Sequence, residues 1–186
     1  MDMHLTDGWL EVGDTKLGPR YRRPLTAIGS EPIRQLYAWY LEKRDSEGYL
    51  DRSLVQPSKL GKLINYVSLF DIIKENGEIV DFYIRVLSFT ATQVFGEHSR
   101  KNGAALLPKP VFDRWVKIYR HCLEEKAPVL VQGKILHQGT YRRCAETLAI
   151  PVKKGGEFCQ IMILNEYFSQ GWEEFDQVPV EECVPF

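Results

Sequence analysis

Between residues 30 and 44 the apolar side chains fall at Ile33, Leu36, Tyr37, Tyr40 and Leu41, the i, i+3, i+4, i+7, i+8 stripe of an amphipathic helix. Ser30 is placed to cap it, Pro32 suits its first turn, and Lys43 and Arg44 suit the negative end of its dipole. A loop, "DSEGYLDRSLVQPSKLGKL", follows with a short helical turn after Pro57, and then the period changes. "NYVSLFDIIK" and "IVDFYIRVLS" flank "ENGE", and an Asn-Gly pair between two strand-like runs predicts a hairpin. In its second strand Phe82, Ile84 and Val86 should share one face, and Tyr83 and Arg85 the other.

The next stretch, "FTATQVFGEHSRKNG", predicts a short helix over Thr90 to Phe95, ended by Gly96 in a left-handed conformation. "PVFDRWVKIYRHCLEE" is a second long helix, with Pro110 in its first turn and an apolar face of Val111, Trp115, Ile118, Tyr119 and Cys122. Three strands complete the pattern: "VLVQGKILHQ", "YRRCAETLAIPVK" and "FCQIMILNEYF". The last is apolar on both parities at Ile161, Met162, Ile163 and Leu164, which predicts a strand covered on both faces. Residues 1–29 hold four glycines, two prolines and no sustained period, so they read as an irregular arm. Residues 30–168 form the domain, and 169–186 an acidic tail. The element order predicts an α+β fold: a five-stranded antiparallel sheet with helices inserted between strands 2 and 3, preceded by the N-terminal helix.

This order, carried by "LYAWYLEKR", the loop from Arg52 to Pro57, "VSLFDIIKENGEIVDFYIRVL", "TATQVFG" and "ETLAIPVKKGGEFCQIMIL", resembles a PAS domain. More closely, it is similar to the bacterial single-domain PAS family with a Tyr- and Trp-rich helix ahead of the fold. The resemblance spans roughly Pro32 to Tyr167. It implies a cavity between sheet and helices, with Phe95 facing the sheet and His98 to Asn102 at the rim. The chain departs from the family at Phe89 and Lys101, where small glycines are usual. A bulky Phe89 favours a filled core over an open cavity.

Composition narrows the function classes. Lys and Arg total 24 against 25 Asp and Glu, so there is no broad basic field for a nucleic acid. Arg20, Arg22 and Arg23 near the start, and Glu173, Glu174, Asp176, Glu181 and Glu182 near the end, read as two solvated tails or as ends that dock on one another. No apolar run reaches the roughly 18 residues of a membrane span. "MDMHLTDGWLEVGD" lacks a signal-peptide pattern, and Cys122, Cys144, Cys159 and Cys183 show no C-x-x-C pair. The expected setting is cytoplasmic, with reduced thiols.

Candidate chemistry is sparse. His4, His98, His121 and His137 show no zinc spacing, and no G-x-S-x-G elbow presents a nucleophile. His137 and Glu146 could pair across strands without catalysing anything. Some PAS domains ligate haem through a His on the long helix. His121 is the only candidate for that role, but it sits near the edge of the apolar face. A photoreactive flavin would need a cysteine where Glu97-His98-Ser99-Arg100 stands. No enzyme activity is therefore expected.

The expectation is a sensory or regulatory PAS module holding a small ligand in a mainly apolar pocket. The pocket candidates are Phe82, Ile84, Val86, Phe95, Leu106, Trp115, Tyr119, Ile135, Leu148, Ile161 and Ile163. With no room in the chain for an output domain, the signal would pass to an unidentified signalling protein or through a homodimer. The dimer surface would be the stripe of Ile33, Leu36, Tyr37, Tyr40 and Leu41. The alternatives are a ligand-free PAS interaction module and a small isomerase-like enzyme.

Overall fold

A computed structural model describes residues 9–138, 141–155, 157–169 and 184–185. The fold is α+β. Two strands, β1 (Leu10–Val12) and β2 (Thr15–Arg23), precede helix α1 (Glu31–Lys43), the two-residue strand β3 (Leu50–Asp51) and the short helix α2 (Pro57–Leu60). The hairpin β4 (Val67–Glu75) and β5 (Glu78–Val86) comes next, then α3 (Phe89–Phe95), β6 (Lys101–Asn102), α4 (Gly103–Leu106) and the long helix α5 (Lys109–Glu125). Strands β7 (Val129–His137), β8 (Tyr141–Lys154) and β9 (Glu157–Phe168) follow, and β10 (Val184–Pro185) ends the described chain. One mostly antiparallel sheet takes them all in the order β1-β2-β7-β8-β9-β4-β5-β6, with β10 paired to β2 and β3 paired parallel to β8.

The sheet is not the five-stranded one expected: the five strands read from the sequence lie side by side as β7-β8-β9-β4-β5, but further strands extend it at both ends. The expected hairpin is present. Asn76 and Gly77 have φ of +51° and +86°, the paired positive values that a two-residue turn needs to follow the strand twist. The N-terminal arm, expected to be irregular, is not so over residues 10–23. Its strand β2 pairs with β7 from Thr15↔His137 to Arg23↔Leu130. Gly18 and Pro19 hide the alternation because they sit in a bulge: Leu17 to Arg20 takes three steps where Ile135 to Gly133 takes two. Of the acidic tail, all but Ser169 and the two residues of β10 lie outside the described residues.

Both faces of the sheet are covered. On one, Ile33, Leu36 and Tyr40 of α1 pack with Leu130, Leu148, Ile150, Met162 and Leu164. On the other, Ile118, Tyr119 and Cys122 of α5 pack with Phe70, Phe82, Ile84, Val131, Ile161 and Ile163. The double apolar parity of β9 is thus explained by a helix on each side. The proposed dimer stripe needs correction. Ile33, Leu36 and Tyr40 are 0%, 0% and 1% exposed within the single chain, Tyr37 packs at the edge of the same cluster, and Leu41 alone is open to solvent. Ser30 caps α1 as expected, accepting a hydrogen bond from Ile33 N. The Tyr40 hydroxyl donates to Gly48 O at 2.6 Å.

Candidate functional site

A cavity of about 90 Å³ lies between the α5 face of the sheet and the helical layer. Phe70, Phe82 and Ile84 of the β4–β5 hairpin and Ile163 of β9 supply its floor. Ala91 and Phe95 of α3, Leu106 and Leu107 at the end of α4, and Val111, Trp115 and Tyr119 of α5 close it over. The aromatic wall is interlocked: Phe82 meets Tyr119 edge-on at 5.1 Å and stacks on Phe112 at 5.5 Å, and Trp115 stacks on Tyr119 at 5.9 Å. Gly103 opens α4 against this wall, and a Cβ there would stand 2.3 Å from the Phe82 ring.

Of the expected pocket residues, Phe82, Ile84, Phe95, Leu106, Trp115, Tyr119 and Ile163 line the cavity. Val86, Ile135, Leu148 and Ile161 do not. Val86 is turned to solvent by a bulge: Leu69 and Phe70 are adjacent on β4, but their partners Val86 and Ile84 are two apart, so Arg85 is the extra residue. Leu87 takes the cavity position instead. Leu148 faces α1, because β8 is apolar on both parities and Ala149 occupies the α5 side. Ile161 is fully buried in the same cluster as Phe82 and Ile163, and Ile135 in the one with Leu17 and Val111, and neither reaches the cavity. Phe89 does not fill the core either; it is 62% exposed at the start of α3. Gly96 ends that helix with φ +80° and ψ 176°, a glycine conformation but an extended one.

The polar part of the lining comes from His98, Asn165, Tyr167 and Arg20. His98 sits in the stretch expected at the rim, whereas Arg20, Val12 and Leu17 come from the arm whose strand character the Gly-Pro pair concealed. Arg20, expected in a solvated tail, is 3% exposed. Its Nη1 donates to Ala145 O at 3.4 Å, and among the described residues no carboxylate pairs with it. Burial lowers its pKa to about 10, with Arg114 adding to the effect and Tyr167 opposing it, so it remains a cation at neutral pH. Burial also lowers the pKa of Arg114, whose Nη1 donates to Gly18 O at 2.7 Å and so holds the β2 bulge. The Tyr167 hydroxyl is pushed upward by burial, and the Phe95 ring meets its ring edge-on. Asn165 is oriented by Thr147, whose hydroxyl donates to Asn165 Oδ1 at 2.7 Å.

The other titratable candidates are placed elsewhere. His121 contacts Arg22 and lies 2.9 Å from Glu125 at the outer end of α5, away from the cavity lining, so it does not supply an axial ligand there. His137 contacts the Thr15 hydroxyl at 2.9 Å. Glu146 does not meet it; the buried carboxylate accepts from Gly29 N and Ser30 N, both at 2.9 Å, and from Gln132 Nε2, anchoring the entry to α1. The Cys122 thiol is buried, contacts Ala127 O and Ala149 O, and has its pKa pushed up by burial. Among the described residues no group of three or more His, Cys, Asp or Glu side chains could hold a metal ion, and no helix is long and apolar enough to cross a membrane. Comparisons of the chain with protein-family models, with curated proteins and with solved structures found no match.

Proposed function

We propose that the protein is a PAS-like regulatory module that binds a small molecule between its sheet and helical layer and signals through a protein contact. The observation that carries this reading is the cavity itself, apolar over most of its wall and containing one buried cation. The strand order β7-β8-β9-β4-β5, with α3 to α5 between β5 and β7, supports the PAS-like part of it. Such a ligand would favour one packing of α5 on the sheet, and its different affinities for two packings would shift their populations. The output would be a partner protein or a second copy of the chain. With Ile33, Leu36 and Tyr40 buried, the contact would use surfaces other than the inner stripe of α1.

Native mass spectrometry of the purified protein, beside an absorption scan from the near ultraviolet through the visible, tests the reading. Extra mass that is lost on denaturation is the expected result. A clean polypeptide mass, with no small molecule from a metabolite extract retained, would favour the ligand-free interaction module.

A further inference from the structure

Resting on the cavity reading, we infer that the ligand is a small organic monocarboxylate, its carboxylate held by Arg20 and its apolar body among Phe70, Phe82, Ile84 and Trp115. A guanidinium removed from water is costly unless its donors and charge are met. The described residues meet them poorly: among them the guanidinium has one hydrogen bond, to Ala145 O, and at 3.4 Å it is longer than the usual 2.7–3.2 Å for an N–H donor. A latch between β2 and β8 would need only a neutral side chain at that distance.

The chain is nevertheless built around this side chain. The bulge between Leu17 and Arg20 re-aims β2, and Arg114 fixes it through Gly18 O. Opposite Arg20 the register places Gly133, where a Cβ would stand 2.6 Å from Pro19 O in the bulge, 2.7 Å from Arg20 Cδ and 3.2 Å from Nη1. A bulge that Arg114 holds and Gly133 leaves room for thus lays one cation along the cavity wall. Its planar fork matches a carboxylate with two parallel hydrogen bonds. Tyr167 lines the same cavity, and its phenol, protonated at neutral pH like that of any tyrosine, can donate a further one.

Size sets the rest of the ligand. The cavity of about 90 Å³ is smaller than the roughly 150 Å³ that holds a benzene in an engineered core, so a short aliphatic chain fits as it stands. A single ring fits after rotamer shifts of the lining.

The test is calorimetric titration of the full chain with butyrate, hexanoate and benzoate, each beside its neutral amide. The expected result is that at least one acid binds about tenfold or more tightly than its amide, the range expected for a charge-assisted hydrogen-bond pair. Arg20→Met should remove that preference and leave amide binding in place, and Arg20→Lys should fall between. An amide bound as tightly as its acid, or a preference that survives Arg20→Met, overturns the carboxylate assignment and leaves the cavity reading standing. If Arg20→Met does not fold, the acid-against-amide comparison on the native chain decides alone. If neither acids nor amides bind and native mass spectrometry shows no retained molecule, the cavity reading itself fails.

Discussion

Gly103 shows how closely single residues are held around the cavity. With the Phe82 ring 2.3 Å from where a Cβ would stand, Gly103→Ala must push α4 or the ring out of place. Overpacking of this kind costs about 1–3 kcal/mol, and a lower urea midpoint with an unchanged slope would register it. Cys122 gives a second prediction at this scale. Its thiol is 0% exposed and its pKa is raised by burial, so the nucleophilic thiolate is scarce and unreachable. Peptide mapping after brief iodoacetamide treatment at pH 8 should find Cys122 unmodified in the native protein and alkylated in denaturant; native labelling would show that α5 opens readily.

At the scale of elements, α1 belongs to the core of its own chain. Leu36 is fully buried against the sheet, so Leu36→Ala should cost about 2–5 kcal/mol, read as a loss of thermal or urea stability. Tyr40→Phe removes the hydroxyl's bond to Gly48 O and its interaction with Arg44, and should cost about 1 kcal/mol. Tyr40→Glu would bury a charge, so it should lower the melting temperature sharply; an intact fold with altered sedimentation would instead restore the dimer surface. The sequence pattern could not separate these cases. A buried stripe on a helix states that something covers it, not whether the cover is the same chain. The β strands had a similar limit: the alternation marked β4 and β5 as strands, but one inserted residue, Arg85, exchanged Val86 for Leu87 at the cavity.

The whole molecule is tied together by ion pairs that span distant segments, and their titration fixes its pH range. Glu125 is held below the usual carboxylate range by hydrogen bonding to Arg22, joining α5 to β2. For Asp71, burial acts upward, but hydrogen bonds from Arg85 and Gln160 outweigh it and lower the pKa. Asp45 is lowered likewise, against burial, by the Tyr49 backbone and by Lys153. A carboxyl with a depressed folded pKa contributes stability that is present above its unfolded value, about 3.9 for Asp and 4.3 for Glu, and lost as pH falls through the folded value. Lys153 is raised by Glu47 and Asp45, so its contribution is present below about 10.4 and lost as pH climbs through its higher folded value. The melting temperature should therefore fall below about pH 4 and again above about pH 10. A melting temperature that stays level down to pH 3 would show that these pairs do not couple to folding.

Local sequence determined the helices α1, α3 and α5, the strands β4, β5, β7, β8 and β9, and their order. A stripe at 3.6-residue spacing, a capping serine and an Asn-Gly turn act over a few residues and need no distant partner. Seven of the cavity's lining residues were legible on that basis. Tertiary structure alone decided which strand faces point at which helix, that residues 10–23 add strands to the sheet, and that Arg20 enters the cavity wall. The physical reason is that strand pairing is non-local. On β8 and β9 both parities are apolar, so period gives no face, and a bulge on β2 or β5 shifts every side chain beyond it by one position. Only the partner strand, more than a hundred residues away for β2, fixes where that extra residue sits.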